Sequence, residues 1–311
     1  MGELHRLIVT HGAQQARELA GDQAPLVDMA ARILADETQA IGITYSGFCL
    51  TSLPHKRLEP TQSWERTNGR VSLLIEPGRD RSRNGVFTPV GVPFGARARL
   101  LLIYLQTRAI QDNSPEVELG KSMNNWLSRM GIAIGGTSYQ AVREQANRIS
   151  LCRLTFYFDN DQGHGFCKEN IVTSGIRLHA PEDDDRQQSF WQDKVRLSDT
   201  FFAALRDHPV PVSETAIRAL SMNSLALDAY VWLAYRLHSL SRPTSISWTA
   251  LHSQFGGACK KVFHFRPNFK ASLNMALAAY PDARVDITDA GLILHPSPPP
   301  VAENRPRLLA R

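Results

Sequence analysis

Four polar side chains recur at helical spacing in the middle of the chain and are suited to reading bases in DNA. They are Gln140, Arg143, Asn147 and Arg148. Arginine, asparagine and glutamine pair with base edges in two-point fashion when their helix lies in the major groove. A second interpretation stays open, because Glu144 beside Arg143 is also typical of an ordinary exposed helix face.

A second polar group lies between residues 260 and 274. Its members are Lys260, Lys261, Arg266, Asn268, Lys270 and Asn274, and no carboxylate interrupts residues 260–270. We predict that Lys270 and Asn274 approach bases. For Lys260, Lys261 and Arg266 we predict contacts to phosphates, which fix position without reading sequence. A solvated face is the competing interpretation.

Further basic residues lie in predicted turns and hairpins. They are Arg79, Arg81 and Arg83 in a glycine-bounded loop, and Arg153 and Lys168 in a predicted β-hairpin. Side chains of this kind bind the DNA backbone, so we predict phosphate contacts for all five. Ordinary solubility is the alternative for each of them.

Signatures of enzyme chemistry are weak. The chain has no GxxxxGK[ST] phosphate loop, and no pair of histidines around a hydrophobic residue as a metal-dependent nicking enzyme would need. The acidic run 182–185 is more typical of a solvated loop than of a magnesium site, and the four cysteines form no CxxC pair. We expect no catalysis, no cofactor and no bound metal, with a metal-dependent DNA nickase as the enzymatic alternative.

The bulk composition fits a globular protein of two domains. The 311 residues are 43% hydrophobic and 21% charged, with a formal net charge of +5. No apolar run approaches the length of a membrane span, and the first residues lack the pattern of a signal peptide. We therefore expect a cytoplasmic protein without membrane association. The modest positive charge suits nucleic-acid binding without demanding it.

The first half of the chain alternates helical and strand patterns. Apolar stripes predict helices over 96–110, 121–130 and 137–149, the last opened by Thr137 as N-cap. Residues 70–75 and 116–119 favour strands, and alternation over 151–158 and 166–172 predicts a hairpin. Helix, short strand, helix, turn, helix and hairpin is the layout of a winged-helix domain.

The second half repeats this plan. Ser213 is predicted to cap a long helix through Leu240, and Ser247 another that stops at the glycines 256 and 257. Pro267 is suited to start a third helix, over 268–279, and residues 283–287 and 292–295, on either side of the turn 288–291, predict a second hairpin.

We therefore predict an α+β protein with two tandem winged-helix domains. Residues 1–50 are expected to form a helical N-terminal extension, and residues 51–181 the first winged-helix domain. A linker and connecting helix would occupy 182–212, the second winged-helix domain 213–297, and an extended tail 298–311. The helices at 137–149 and 268–279 would enter successive major grooves.

Long stretches of the chain resemble the plasmid-encoded RepA replication family. In the first half these are GVPFGARARLLLIYLQTRAI, ELGKSMNNWLSRMGIAIGG and YQAVREQANRISLCRLTF. In the second half they are LSDTFFAALRDHPVPV, ALDAYVWLAYRLHSL, SWTALHSQFGG and ALAAYPDARVDITDAGLILHPSPPPV. The resemblance covers roughly residues 85 to 300.

The resemblance implies a plasmid replication initiator. Such a protein binds repeated sequences in double-stranded origin DNA, opens the adjacent duplex and recruits host replication proteins such as the host initiator and the replicative helicase. By the same analogy the first module supports dimerisation and contacts DNA, while the second provides the principal reading helix. A winged-helix transcriptional repressor is the alternative from another functional class.

Overall fold

A computed structural model describes residues 1–69, 71–81, 84–118, 120–132, 136–160, 163–169, 171–173, 194–257, 259 and 261–301. The chain forms two compact units. Residues 53–209 make one, which we call the inserted unit because it interrupts the other in sequence. Residues 1–52 and 210–311 make the other, which we call the split unit.

Helices and strands are numbered here in chain order. The helices are α1 (Glu3–Leu19), α2 (Ala24–Leu34), α3 (Ser46–Leu50), α4 (Gly95–Gln111), α5 (Gly120–Arg129), α6 (Gly136–Leu151), α7 (Asp199–Asp207), α8 (Glu214–Leu220), α9 (Ser224–Leu237), α10 (Trp248–Phe255) and α11 (Val262–Ala278). The strands are β1 (Ile41–Tyr45), β2 (Trp64–Asn68), β3 (Val71–Glu76), β4 (Arg79–Arg81), β5 (Phe87–Pro89), β6 (Glu116–Glu118), β7 (Arg153–Asn160), β8 (Gly163–Glu169), β9 (Lys194–Arg196), β10 (Pro209–Ser213), β11 (Thr244–Ser247), β12 (Val285–Ile287) and β13 (Gly291–Leu294).

Helix α4 is the centre of the inserted unit. Residues 98–107 are all buried, including the polar side chains of Arg99, Gln106 and Thr107. A helix of this kind must be surrounded by other elements, and α4 packs against α6, α7 and β6. The predicted helices over 96–110, 121–130 and 137–149 are confirmed within one or two residues as α4, α5 and α6. Helix α6 begins at Gly136, so Thr137 lies inside its first turn and not ahead of it.

An antiparallel sheet in the order β2-β3-β7-β8 completes this core. Val71, Leu73 and Ile75 alternate toward the buried side of β3, and Leu73 lies opposite Phe156 of β7. The predicted hairpin is confirmed as β7 and β8. Strand β6 pairs with β9, whose Val195 lies opposite Val117, while β4 and β5 form a small hairpin of their own.

The split unit is built on α9, α10 and α11 with a three-stranded sheet in the order β11-β13-β12. Its core is aromatic, with these side chains all at most 3% exposed: Tyr230, Trp232, Trp248, Phe255, Phe265 and Phe269. Ser213 caps α8 and Ser247 caps α10, each accepting a hydrogen bond from the amide three residues on. Both caps and the second hairpin are as predicted.

Two helix predictions in this unit are wrong. The single helix predicted from Ser213 to Leu240 is divided into α8 and α9, because Asn223 leaves helical geometry and caps α9 through the amides of Leu225 and Ala226. Pro267 does not start the third helix but lies inside α11, which begins at Val262. Proline removes one backbone donor, and the helix persists through it because the aromatic residues on either side are buried.

The N-terminal helices belong to the split unit. The predicted division placed residues 1–50 in a separate extension, whereas α2 packs on α11 and an apolar cluster joins Leu4, Val27 and Ala30 to Ala278. His5 Nε2 lies 3.0 Å from the Ala278 carbonyl oxygen, and the Gly2 amide donates to the Pro281 carbonyl. Strand β1 pairs with β10. The N-terminal segment therefore secures the C-terminal end of α11.

Parts of the predicted architecture lie outside the described residues. These are the acidic linker at 182–188 and the end of the tail, 302–311. Within the described part of the chain, no helix has the length and apolar character needed to cross a membrane.

Candidate nucleic-acid interface

One face of α11 combines cations with polar and apolar groups. Its residues, which we call the α11 stripe, are Phe263, Arg266, Pro267, Lys270 and Asn274. Spacings of three, one, three and four residues place them on one side of a helix. Phe263, Arg266 and Pro267 are exposed, and Lys270 and Asn274 are half-buried.

The opposite face of α11 is buried in the split unit. Phe265 and Phe269 are at most 1% exposed and pack with ring centroids 5.0 Å apart and ring planes tilted by 30°. Leu273 continues this buried face with no exposed surface. The packing of α11 thus determines which side chains point outward.

Trp248 supports the two cations of the α11 stripe. The Arg266 guanidinium lies 5.6 Å from the centre of the indole ring, and the Lys270 ammonium 5.5 Å. The ring is 2% exposed, and its Nε1 donates a hydrogen bond to the Thr288 carbonyl. Cations held over a fixed aromatic ring lose less conformational freedom on binding a ligand.

The sequence around the stripe carries no acid. Between Asp228 and Asp282 there is no carboxylate side chain, while Lys261, Arg266 and Lys270 fall within this interval. Asp286 on the neighbouring hairpin is paired with His295 at 2.8 Å. Cations without acidic residues in their own stretch of sequence favour the binding of anions such as DNA phosphates.

Other residues of the predicted second group are placed as follows. Lys261 immediately precedes α11 and is exposed, and Asn268 is exposed with its Nδ2 donating to the His264 carbonyl at 3.3 Å. Lys260 lies outside the described residues. The structure therefore places five of the six predicted residues on α11 or directly before it.

The predicted reading face of α6 is more heavily engaged in packing. Gln140 is exposed, and Arg143 is half-buried. Asn147 is also half-buried, and its Nδ2 lies 3.4 Å from Asp80 Oδ2 of β4. Of the four predicted residues on α6, Gln140 and Arg143 make no side-chain hydrogen bond among the described residues.

Arg148 lies inside the inserted unit, contrary to its predicted place on the exposed face. Its side chain is 6% exposed, its Nη2 is 2.8 Å from Glu144 Oε1, and its Nη1 donates to the Val92 carbonyl at 2.9 Å. The guanidinium also lies 5.1 Å from the centre of the Phe94 ring. Arg148 is therefore not available to bases, because residues 91–94 cover this side of α6.

The loop predicted around Arg79 is a hairpin packed on α6. A Cβ atom added at Gly78 would lie 2.0 Å from the Leu151 carbonyl oxygen, so only glycine permits this approach. Arg79 and Arg81 are exposed on β4, and Arg81 lies 6.0 Å from the ring of exposed Phe87. Paired strands were not predicted here, although flanking glycines marked the turn.

The remaining predicted phosphate contacts are only partly described. Arg153 is exposed at the start of β7, and its Nη1 lies 3.9 Å from Glu76 Oε2. Lys168 lies on β8, and its side chain is outside the described part, as is Arg83.

The described part of the chain provides no group of three or more histidine, cysteine or acidic residues that could hold a metal ion. The acidic run 182–185 lies outside it.

Burial raises the pKa of Cys49, and it raises that of Cys152 to about 11. These two thiols are therefore protonated and poorly nucleophilic at neutral pH.

Comparison with known proteins identifies a family and similar solved structures. A family model described as plasmid encoded RepA protein matches residues 92–250, just over half of the 311 residues. A crystal structure of selenomethionine derivatives of domains 2 and 3 of RctB is 13% identical with a TM-score of 0.47, covering 76% of this chain and 84% of that one. A second crystal structure of RctB domains 2–3 is 12% identical with a TM-score of 0.44, covering 79% and 93%. A search of curated proteins gives no significant match.

Proposed function

Because the chain belongs to the plasmid-encoded RepA family, we propose that it initiates plasmid replication by binding repeated sequences at the plasmid origin. It acts as a DNA-binding protein without a catalytic step of its own, promotes opening of the adjacent duplex and recruits host replication proteins. Dimerisation accompanies these steps.

The order of elements supports two winged-helix modules. The inserted unit runs α4, β6, α5, α6 and the hairpin of β7 and β8, and the split unit runs α9, β11, α10, α11 and the hairpin of β12 and β13. In the split unit the first strand joins the hairpin in one sheet. In modules of this type the last helix enters the major groove. By this inference α6 and α11 are the groove helices.

The single observation that carries the proposal is the α11 stripe. Arg266 and Lys270 are held beside Trp248 in a region of sequence without acids, on the helix that a winged-helix module would place in the groove. Arginine and lysine reach guanine O6 and N7 there, and asparagine suits adenine, which gives Asn274 a role. Lys261 is placed to hold a phosphate.

In the inserted unit, DNA contacts fall to Gln140, Arg143 and the β4–β5 hairpin. Arg79 and Arg81 carry positive charge on a hairpin that packs against α6, so both elements would meet the same stretch of duplex. Backbone contacts from a hairpin fix the register of the neighbouring helix.

The test is binding of the purified protein to duplex from its plasmid's repeat region and to a shuffled duplex, at two salt concentrations. We expect preference for the repeats by about a thousandfold, falling steeply with salt. Arg266→Ala should remove much of the preference, whereas the control Arg218→Ala, an exposed arginine on α8, should keep it. Equal binding to both duplexes would contradict the proposal.

A second measurement separates initiation from repression alone. Deletion of the gene, with the protein supplied again from another replicon, should abolish and then restore maintenance of the plasmid. Maintenance without the protein would favour a regulator of transcription. Magnesium-dependent cleavage of supercoiled origin DNA by the purified protein would instead reveal an enzyme.

A further inference from the structure

Two apolar residues lie among the cations of the α11 stripe. Phe263 is 80% exposed, more than any other large hydrophobic side chain in the described part of the chain. Pro267 follows four residues later and is also exposed. Together they add an apolar patch to a cationic face, and a ligand that carries both anionic and apolar groups would cover both parts of this surface.

The packing of α11 holds Phe263 outward. The buried positions of the same helix are taken by Phe265 and Phe269, and the ring of Phe263 contacts only the edge of exposed His264, at 5.5 Å between centroids, among the described ring contacts. Rotation of the helix to bury Phe263 would expose the core aromatics. The packing of α11 therefore keeps Phe263 at the surface.

Apolar and cationic groups alternate along the stripe. Phe263 and Pro267 form one pair at a spacing of four residues, and Arg266 and Lys270 form another. Four residues of helix rise by about 6 Å, which is comparable with two base steps of about 3.4 Å. Each apolar group thus has a cation within about one base step of it.

Charge complementarity identifies the ligand that this pattern fits. Cations attract the DNA backbone and guanine edges, while the C5 methyl group of thymine is the apolar feature that the major groove offers. We propose that Phe263 and Pro267 contact thymine methyl groups. The repeats read by α11 accordingly contain thymine beside guanine. This inference rests on the proposed function and adds the kind of base that is read.

The experiment replaces thymines of the repeat, one at a time, by deoxyuridine, which pairs identically but lacks the methyl group. We expect at least one position to weaken wild-type binding by about fourfold, the change associated with burial of one methyl-sized group. Phe263→Ala should bind duplexes with and without the methyl group of the thymine that Phe263 contacts equally well. Pro267→Ala should do the same at the thymine that Pro267 contacts, and each comparison is a double-mutant cycle. Both changes are at exposed positions, and alanine favours the helix.

Met222→Ala is the matched control, because Met222 is 78% exposed in the same unit but lies outside α11. It should retain the deoxyuridine penalty. If the wild type prefers the repeats but tolerates deoxyuridine everywhere, or if the penalty persists in both variants, the thymine contact is overturned and the proposed function stands. If the wild type does not prefer the repeats, both are overturned. Equal loss for Phe263→Ala on repeats and shuffled duplex also contradicts the inference.

Discussion

Helices α6 and α11 occupy the same place in two similar successions of elements, yet their polar side chains are used differently. On α6, Arg148 and Gln145 point into the inserted unit and hold residues 92–94 through hydrogen bonds to the Val92 carbonyl and the Phe94 amide. On α11, Arg266 and Lys270 instead lie over the ring of Trp248. The order of elements alone does not decide which helix can read DNA.

Helices α6 and α11 also differ in the acidic residues near them. Glu144 is bridged by Arg148 from within α6 and by Arg57 from the preceding segment, and Asp80 reaches Asn147. No acid lies between Asp228 and Asp282 around α11. Glu144 and Asp80 therefore have partners within the inserted unit, whereas the described part of the chain contains no ion pair of Arg266 or Lys270. From this comparison we expect α6 to position the protein and α11 to read sequence.

The largest expected effect concerns the stability of the inserted unit. Arg148→Met keeps the side-chain volume but leaves Glu144 with exposed Arg57 alone and the Val92 carbonyl without its donor. We expect the free energy of unfolding to fall by about 3 kcal/mol. Hydrogen exchange of the α4 amides measures this free energy of unfolding. Arg143→Met, at a half-buried position on the same helix, should change the free energy of unfolding little. Equal effects of the two substitutions would mean that Arg148 stabilises the inserted unit no more than Arg143 does.

The next effect concerns DNA affinity. Arg266→Ala should cost about 2 kcal/mol on the specific repeat and less on shuffled duplex, because a base contact is lost. Arg143→Ala should cost less than about 1 kcal/mol, in similar proportion on both duplexes, as expected for a positioning contact. Titrations by fluorescence anisotropy at one salt concentration measure both. A larger specific loss for Arg143→Ala than for Arg266→Ala would reverse the comparison.

A smaller effect concerns the packing of the N-terminal helices on α11. The described part of the chain provides no such attachment for α6. Burial lowers the pKa of His5, although its hydrogen bond to the Ala278 carbonyl opposes this. The unfolded chain therefore binds the proton more readily, so the stability of the split unit is full above the unfolded pKa near 6.5 and falls as the pH drops through it.

His5→Phe tests this dependence. The variant should lose about 1 kcal/mol at neutral pH, because the Ala278 carbonyl loses its donor, and should be less sensitive to acid than the wild type. Urea unfolding at several pH values measures both. Exposed His11 provides the control, and His11→Phe should leave the acid sensitivity intact. An unchanged acid profile in His5→Phe would show that other groups cause it.

The smallest effect tests the acids around α6. Asp80→Asn removes one negative charge beside Asn147 and should strengthen binding to any duplex by roughly twofold, about 0.5 kcal/mol, chiefly at low salt. Asp207→Asn, an exposed acid at the end of α7, serves as the control. Equal gains from both substitutions would mean that net charge alone is responsible.

The periodic elements of both units were predictable from sequence. Apolar stripes located α4, α5, α6 and α10, and hydroxyl side chains at Ser213 and Ser247 marked helix starts, because these signals are local. The break at Asn223 was missed, since the apolar pattern continues on both sides and neither glycine nor proline marks it. Pro267 was misplaced because buried aromatics override the usual position of proline.

The site was predictable only where one helix determines it. The spacing of Arg266, Lys270 and Asn274 follows from helical geometry, and the structure brings them to one face. The burial of Arg148 depends on residues 91–94, more than fifty positions earlier, and the support from Trp248 depends on another helix. Periodicity identifies the face of a helix but not which distant segment packs against it.

The docking of α1 and α2 on α11 has a consequence for biosynthesis. These helices leave the ribosome well before α11, because their apolar partner Ala278 is translated almost 250 residues after Ala30, a delay on the order of tens of seconds at usual elongation rates. During that interval residues 53–209 are completed while Leu4, Val27 and Ala30 still lack their final packing partner. The final packing of α1 and α2 thus waits on α11, which is translated much later.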